Sequence, residues 1–146
     1  MVGFKNRYLV LEVSVDSSVP LDELQPNVGR AIKESILINF GDCGLASSLT
    51  SFQVKYLNPR TKLCIIRTSR EDYQKVWSAI TLVSRIGNFP ASFNLLDLSG
   101  SIRACKKAAI SCEEAKYEQL LKGVPVTDKL NQEMQNYLEK IKVLEH

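Results

Sequence analysis

The chain has 146 residues, of which 45% are hydrophobic and 24% charged, and this composition is typical of one globular domain rather than of a disordered chain. No apolar run reaches the roughly 18 residues of a membrane-spanning helix, and the first residues lack the apolar segment of a secretory signal, so we expect an intracellular protein with no membrane partner. The net charge is +3, and Lys and Arg outnumber Asp and Glu by 14 to 9 up to Ile110, while acids exceed bases by 7 to 5 from Ser111 onward. A basic body favours an anionic partner, although a random surface can show the same bias.

The first elements are a strand and a helix. Residues 8–15 are rich in β-branched side chains and alternate, which predicts a strand. Residues 26–40 carry apolar side chains at helical spacing and are followed by Gly41, a natural helix terminator. Residues 41–51 hold two glycines and three serines, and we expect them to form mostly a loop.

A hairpin should follow. Residues 52–57 and 62–68 alternate as strands, and the segment Asn58-Pro59-Arg60-Thr61 between them has the residues of a tight turn. The pattern therefore predicts a β-hairpin with the basic side chains of Arg60 and Lys62 at its tip.

The second half of the chain alternates again and then becomes helical. Ser69 is a good N-cap for a helix whose apolar stripe continues to Ile86 and ends at Gly87. Residues 93–98 predict a fourth strand, and a helix should begin after Gly100. Two further helices are expected over residues 113–122 and 127–145.

The element order is β-α-β-β-α-β followed by helices, which predicts an α/β sandwich with a ferredoxin-like antiparallel sheet. We expect residues 1–110 to form this sandwich and residues 111–146 to form a helical extension packed on the same domain. The second face of the sheet is the obvious place for the apolar stripes of the extra helices, because its side chains are not uniformly polar.

Catalytic chemistry has little support in the sequence. The only histidine is His146, and the four cysteines, Cys43, Cys64, Cys105 and Cys112, lie outside any C-x-x-C pair, so we predict no catalytic residue and no metal site. Neighbouring acids such as Glu113 and Glu114 diverge on a helix and should be solvated. The third strand also lacks the aromatic side chains with which an RNA recognition motif stacks on bases.

Basic residues cluster instead. Lys5 and Arg7 precede the first strand, and the helix after Gly100 opens with Arg103, Lys106 and Lys107. The first and fourth strands are neighbours in a ferredoxin-like sheet and run antiparallel, so the two clusters should meet at one edge, beside a helix start that favours anions. A solvated helix face would produce the same pattern.

Three stretches carry a family resemblance, and their order and spacing agree. They are Phe4-Lys5-Asn6-Arg7-Tyr8-Leu9, Val54-Lys55-Tyr56-Leu57-Asn58 with residues 73–79, and Phe93-Asn94-Leu95 with residues 99–105. These stretches resemble the Pop-five/Rpp-fourteen family of ribonuclease P and ribonuclease MRP subunits, most closely its land-plant members. The resemblance runs from Val2 to about Lys107, and the segment after Ser111 matches no pattern of the family.

The resemblance implies a non-catalytic subunit that binds and braces the catalytic RNA for 5′ maturation of precursor tRNA and for processing of precursor rRNA. It implies no cofactor for this chain, since magnesium is bound by the RNA, and no small-molecule substrate. The implied partners are ribonuclease P RNA, MRP RNA, an Rpp-thirty-type subunit, an Rpp-fourteen-type paralogue and the Pop-one scaffold subunit, in the nucleus and nucleolus.

From these considerations we predict two surfaces. The RNA contacts are predicted at Lys5, Arg7, Arg60, Lys62, Arg103, Lys106 and Lys107. The protein-partner contacts are predicted at Tyr73, Val76, Trp77 and Ile80, which supply more apolar surface than one helix face needs, although core packing also suits Trp77. The alternatives are a ferredoxin-like regulatory or protein-interaction module without an RNA role, and a true RNA recognition motif.

Overall fold

A computed structural model describes residues 6–15, 21–49, 51–122 and 128–145. The elements in chain order are β1 (Asn6–Val15), α1 (Leu21–Leu49), β2 (Gln53–Asn58), β3 (Leu63–Ser69), α2 (Tyr73–Thr81), β4 (Arg85–Ile86), β5 (Phe89–Ser99), α3 (Ile102–Lys122) and α4 (Asp128–Lys142). None of the helices in these ranges is both long and apolar enough to cross a membrane.

The strands form an antiparallel sheet in the order β2-β3-β1-β5-β4. The four longer strands have the ferredoxin-like order, with β5 in the place of the fourth strand, so the predicted α/β sandwich is confirmed. The two-residue strand β4 is an addition that pairs with Phe89 and Pro90 through a turn at Gly87, where φ is 60°.

The helix predicted to reach Ile86 is shorter than expected. It ends at Thr81. Val83 lies in the loop that follows and Ile86 lies in β4, and both side chains are buried although neither belongs to the helix. A short run of apolar residues such as the one after Thr81 is compatible with a buried strand as well as with a helix. Here the turn at Gly87 allows Arg85 and Ile86 to pair with β5 as a strand.

One face of the sheet packs against α1 and α2. Leu9, Leu11 and Val13 of β1 point to this face, as the period of two requires. Val28 and Ile32 of α1 and Val76 and Ile80 of α2 meet them in one cluster and are fully buried.

The opposite face is covered by α3 and α4, as expected for the extra helices. Tyr8 and Val10 of β1 lie under Cys105 and Ala109 of α3 and Ile141 of α4, and all five are buried. The helix α3 runs without a break from residue 102 to residue 122, so the predicted division after residue 110 falls inside a helix. No glycine or proline stands near that division to end a helix.

The expected loop after residue 41 is also corrected, because α1 continues to Leu49 across a kink at Gly41. Gly41 has φ 74° and ψ −175°, a conformation that favours glycine. Beyond it, the hydroxyls of Ser47 and Ser48 donate to the carbonyl of Gly44 at 3.0 Å, so these serines bond to the helix backbone. Leu45 packs on the core and anchors this last helical segment.

Candidate nucleic-acid interface

One end of the sheet brings the start of β1 to the end of β5. Tyr8 pairs with Ser99, which places Arg7 beside Gly100. A methyl group on Gly100 would lie 3.4 Å from Nη1 of Arg7, so the predicted meeting of Arg7 with this segment is confirmed. Lys5, the other residue of the N-terminal cluster, lies outside the described residues.

The Arg7 guanidinium has two further contacts. Its Nη1 donates to the carbonyl oxygen of Asn6 at 3.1 Å, and its central carbon lies 6.0 Å from the centre of the Tyr73 ring. Tyr73 opens α2, so two strands and a helix converge on this guanidinium.

The start of α3 completes this end of the molecule. The hydroxyl of Ser101 accepts a hydrogen bond from the backbone N–H of Ala104 at 3.2 Å, which caps the helix. Arg103 and Lys107 lie one helical turn apart and are exposed. Arg7, Arg103 and Lys107 are named the basic end below.

Lys106 differs from its two neighbours. It is half-buried, and its ammonium group donates to the carbonyl oxygen of Lys142 at 2.9 Å. Lys142 is the last residue of α4, where unpaired carbonyls and the helix dipole favour a cation. Lys106 therefore fastens α4 to α3, and less of its charge is available to a ligand than the sequence indicated.

The hairpin tip lies at the other end of the sheet. The backbone N–H of Val13 donates to the carbonyl of Lys62 at 2.9 Å, and Nζ of Lys62 is 3.4 Å from the carbonyl oxygen of Val15. Arg7 and Val15 are separated by roughly 26 Å along an extended strand. The structure thus divides the predicted RNA contacts into two separate groups.

Arg60 at this tip is already paired. Its Nε and Nη2 donate to the two carboxylate oxygens of Glu133 on α4, at 3.0 Å and 3.2 Å. This hydrogen bonding raises the pKa of Arg60 above its ordinary value. A bidentate carboxylate occupies the donors that a phosphate would use.

The predicted partner surface is corrected at two positions. Val76 and Ile80 are fully buried in the core of the chain and offer no surface to a partner. Tyr73 and Trp77 are half-buried, the latter packed against the same core. The helical stripe identified these residues correctly as apolar, but a stripe marks a buried face whether the cover comes from the same chain or from another.

A buried polar cluster was missed by the sequence reasoning. Glu113, which we expected to be solvated, is fully buried. Its carboxyl oxygens accept from the hydroxyl of Tyr56 at 2.5 Å, from the amide of Asn58 at 2.7 Å and from the hydroxyl of Thr61 at 2.5 Å. Asn58 also donates to the hydroxyl of Tyr117 at 3.0 Å. These five residues are named the polar cluster.

A signal for this cluster was present in the spacing. Cys105, Ala109, Glu113 and Tyr117 follow one another at intervals of four residues and are all buried, so Glu113 occupies the apolar face of α3. Burial, and then the hydrogen bond to Glu113, raise the pKa of Tyr56 far above its ordinary value, and burial raises the pKa of Tyr117 to about 12. The cluster joins α3 to the β2–β3 hairpin.

The described side chains do not form a metal-binding cluster. Within residues 6–15, 21–49, 51–122 and 128–145, no group of three or more His, Cys, Asp and Glu residues could hold a metal ion. The cysteines Cys64 and Cys105 lie in the two separate cores, and burial raises the pKa of each thiol to about 12.

Comparison with known proteins gives one family. A model of the Rpp14/Pop5 family matches residues 7–110. The chain is 53% identical over 153 residues to an Arabidopsis thaliana protein described as "Probable ribonuclease P/MRP protein subunit POP5", with 100% of both chains covered. It is 36% identical over 115 residues to the Mus musculus "Ribonuclease P/MRP protein subunit POP5", covering 75% of this chain and 68% of the mouse protein.

A solved structure has the same fold. A chain in the "Cryo-EM structure of yeast Ribonuclease MRP" superposes with a TM-score of 0.56, covering 85% of this chain and 99% of the yeast chain. The two sequences are 16% identical, so this likeness concerns the fold alone.

Proposed function

Because the chain belongs to the Rpp14/Pop5 family, we propose that it is a protein subunit of ribonuclease P and ribonuclease MRP that binds and braces their RNA. Its relatives from plant and mouse carry the names of such subunits. In this role the chain supports 5′ maturation of precursor tRNA and processing of precursor rRNA. Catalysis belongs to the RNA and its bound magnesium, with no catalytic residue from this chain.

The observation that carries the RNA contact is the position of the basic end relative to the two covered sheet faces. Helices α1 and α2 cover one face and α3 and α4 the other, so an RNA strand cannot stack on the sheet as it does on an RNA recognition motif. Arg7, Arg103 and Lys107 lie at one end of the sheet, beside the backbone N–H groups at the start of α3. Such groups suit phosphate oxygens and position a folded RNA with little sequence discrimination.

The surroundings of the six described residues support some of the seven proposed RNA contacts more than others. Arg103 and Lys107 are exposed, and Arg7 lies beside Gly100, three residues before Arg103. Arg60 is paired with Glu133, and Lys106 and Lys62 donate to backbone carbonyls. We place the main contact at the basic end, with Lys5 as a further candidate from the sequence.

The experiment measures affinity for ribonuclease P RNA and MRP RNA over a range of salt concentrations. Replacing Arg103 and Lys107 with alanine should weaken binding to both RNAs and lower the salt slope by about one unit for each lost phosphate contact. The matched control replaces Arg30 and Lys33, an exposed basic pair on α1, and should leave the slope nearly unchanged. Equal losses of RNA affinity in both variants would show that net charge alone causes the effect, and would contradict the site.

The remaining assignments belong to the same proposal. The protein partners are an Rpp-thirty-type subunit, an Rpp-fourteen-type paralogue and the Pop-one scaffold subunit. The location is the nucleus and nucleolus. Tyr73 and Trp77 remain candidates for contact with a protein partner. Copurification from cell extract with RNA sequencing tests the assembly. A ferredoxin-like regulatory module without an RNA role would recover neither RNA, and cleavage of precursor tRNA by the pure chain would contradict the non-catalytic role.

A further inference from the structure

Tyr73 stands in an unusual relation to the basic end. The guanidinium of Arg7 lies over its ring at 6.0 Å, while Nη1 of Arg7 is held by the carbonyl oxygen of Asn6 and approaches Gly100. Cations over aromatic rings are attracted by the electron-rich face of the ring. The Arg7 guanidinium is thus held by two groups, the ring of Tyr73 and the backbone carbonyl of Asn6.

The start of α2, which carries this ring, is held by the turn that precedes it. The hydroxyl of Ser69 donates to the carboxylate of Asp72 at 2.9 Å and accepts from the backbone N–H of Asp72 at 3.1 Å. Ser69 is also the strand partner of Asn6. Ser69 therefore links the backbone that carries Arg7 to the first turn of α2, which carries Tyr73.

We propose that Tyr73 is a positioning residue for phosphate recognition by Arg7, an inference that rests on the proposed RNA-binding function. A free arginine side chain loses much rotamer freedom on binding. A guanidinium that is already held near a ring loses less of this freedom, and a cation–π contact leaves its N–H donors available for hydrogen bonds. The hydrogen bond to Asn6 uses one of the five, and the rest can meet an RNA phosphate.

The experiment uses the full chain and ribonuclease P RNA transcribed in vitro, with four variants: Tyr73→Leu, Tyr73→Phe, Arg7→Ala and the double variant Arg7→Ala/Tyr73→Leu. Tyr73→Leu should weaken RNA affinity about two- to fivefold, the size expected for a cation–π contact. Tyr73→Phe keeps the ring and should bind like the parent. In the Arg7→Ala background, Tyr73→Leu should cause no further loss, because the two residues act as one unit.

The outcomes separate the inference from the proposed function. If Arg7→Ala weakens binding and lowers the salt slope but Tyr73→Leu does neither, Tyr73 does not position Arg7 and the RNA site stands. Equal losses from Tyr73→Leu in both backgrounds would make Tyr73 an independent contact and also overturn the inference. An unchanged affinity in Arg7→Ala would remove Arg7 from the RNA site, and the inference would fail with it. Thermal unfolding of each variant checks whether the fold is retained.

Discussion

The hydroxyl of Tyr56 on β2 donates a 2.5 Å hydrogen bond to the buried carboxyl group of Glu113 on α3. This bond crosses from the edge of the sheet to the helix that covers it, and Asn58 and Thr61 of the same hairpin donate to the same carboxyl group. A group that accepts from three side chains fixes one register between helix and hairpin, since a shift by one residue would leave several donors unpaired.

Replacing Glu113 with alanine should therefore be among the most destabilising changes in the chain. It removes the acceptor of three buried donors, and we expect the free energy of unfolding to fall by about 3 to 5 kcal/mol. Urea denaturation measures this. Glu114→Ala, at the exposed neighbouring position, should change stability by less than about 0.5 kcal/mol. A similar small change for both variants would show that the cluster contributes little.

Alkaline solutions should destabilise the protein over a defined pH range. Burial raises the pKa of Cys64 from 9.0 to about 12 and raises the pKa of Tyr56 well above 10.0. Since the folded values exceed the unfolded ones, this contribution to stability is complete below about pH 9 and is lost as the pH rises toward 12. The free energy of unfolding, followed by urea denaturation at increasing pH, should decline across that range.

A matched variant assigns part of this decline. Tyr56→Phe keeps the ring and removes the ionisable hydroxyl, so stability should fall less steeply with pH above pH 10 than in the parent. An equal slope in the two proteins would exclude Tyr56 from the effect, whatever the absolute stability of the variant.

The docking of α4 depends on its apolar face. Ile141 is fully buried under the sheet, and its replacement by alanine should cost about 2 to 4 kcal/mol. Val143, two residues along, is 64% exposed, and Val143→Ala should cost less than about 0.5 kcal/mol. Hydrogen exchange of the α4 amides should accelerate in the first variant only. Acceleration in neither would mean that Ile141 does not hold the helix.

The sequence allowed most of the fold to be predicted, because hydrophobic periodicity determines which face of each element is buried. The alternation in β1 and the turn at Asn58-Pro59 were sufficient for the strand order, together with the rule for β-α-β-β-α-β chains. The errors fall where two structures satisfy one pattern. The apolar residues after Thr81 served a strand instead of a helix, and the serines after Gly41 bonded to helix carbonyls instead of forming a loop.

The candidate site was only partly predictable. The proximity of Arg7 to Gly100 follows from strand order alone. The pairing of Arg60 with Glu133 could not be predicted, because it depends on where α4 packs, and no local pattern gives that position. The burial of Val76 and Ile80 inside this chain could not be predicted either, since an apolar helical stripe can be covered by the same chain or by a partner.

Gly41 offers a test of the kink in α1. Its positive φ is strained for any side chain, so Gly41→Ala should lower the free energy of unfolding by about 1 to 3 kcal/mol. The matched variant is Gly29→Ala in the same helix, where the new methyl would meet Cγ2 of Val54 at 3.4 Å. It should leave stability unchanged or slightly raised, because alanine favours the helix. If Gly29→Ala lowered the free energy of unfolding as much as Gly41→Ala, the cause would be packing and not the backbone conformation at the kink.

The pairing of Arg60 with Glu133 predicts a contrast between two exposed arginines. Because its donors are occupied by a carboxylate at 3.0 Å and 3.2 Å, Arg60→Ala should leave the salt slope of RNA binding nearly unchanged. Arg103→Ala should lower that slope by about one unit. The stability cost of Arg60→Ala should stay below about 1 kcal/mol, since the ion pair is partly solvated.

Glu133→Gln serves as the control, because it weakens the pairing while keeping the Arg60 side chain. If Arg60→Ala lowered the slope as much as Arg103→Ala, the hairpin tip would be a second RNA contact, and pairing with α4 would not withhold Arg60 from the RNA.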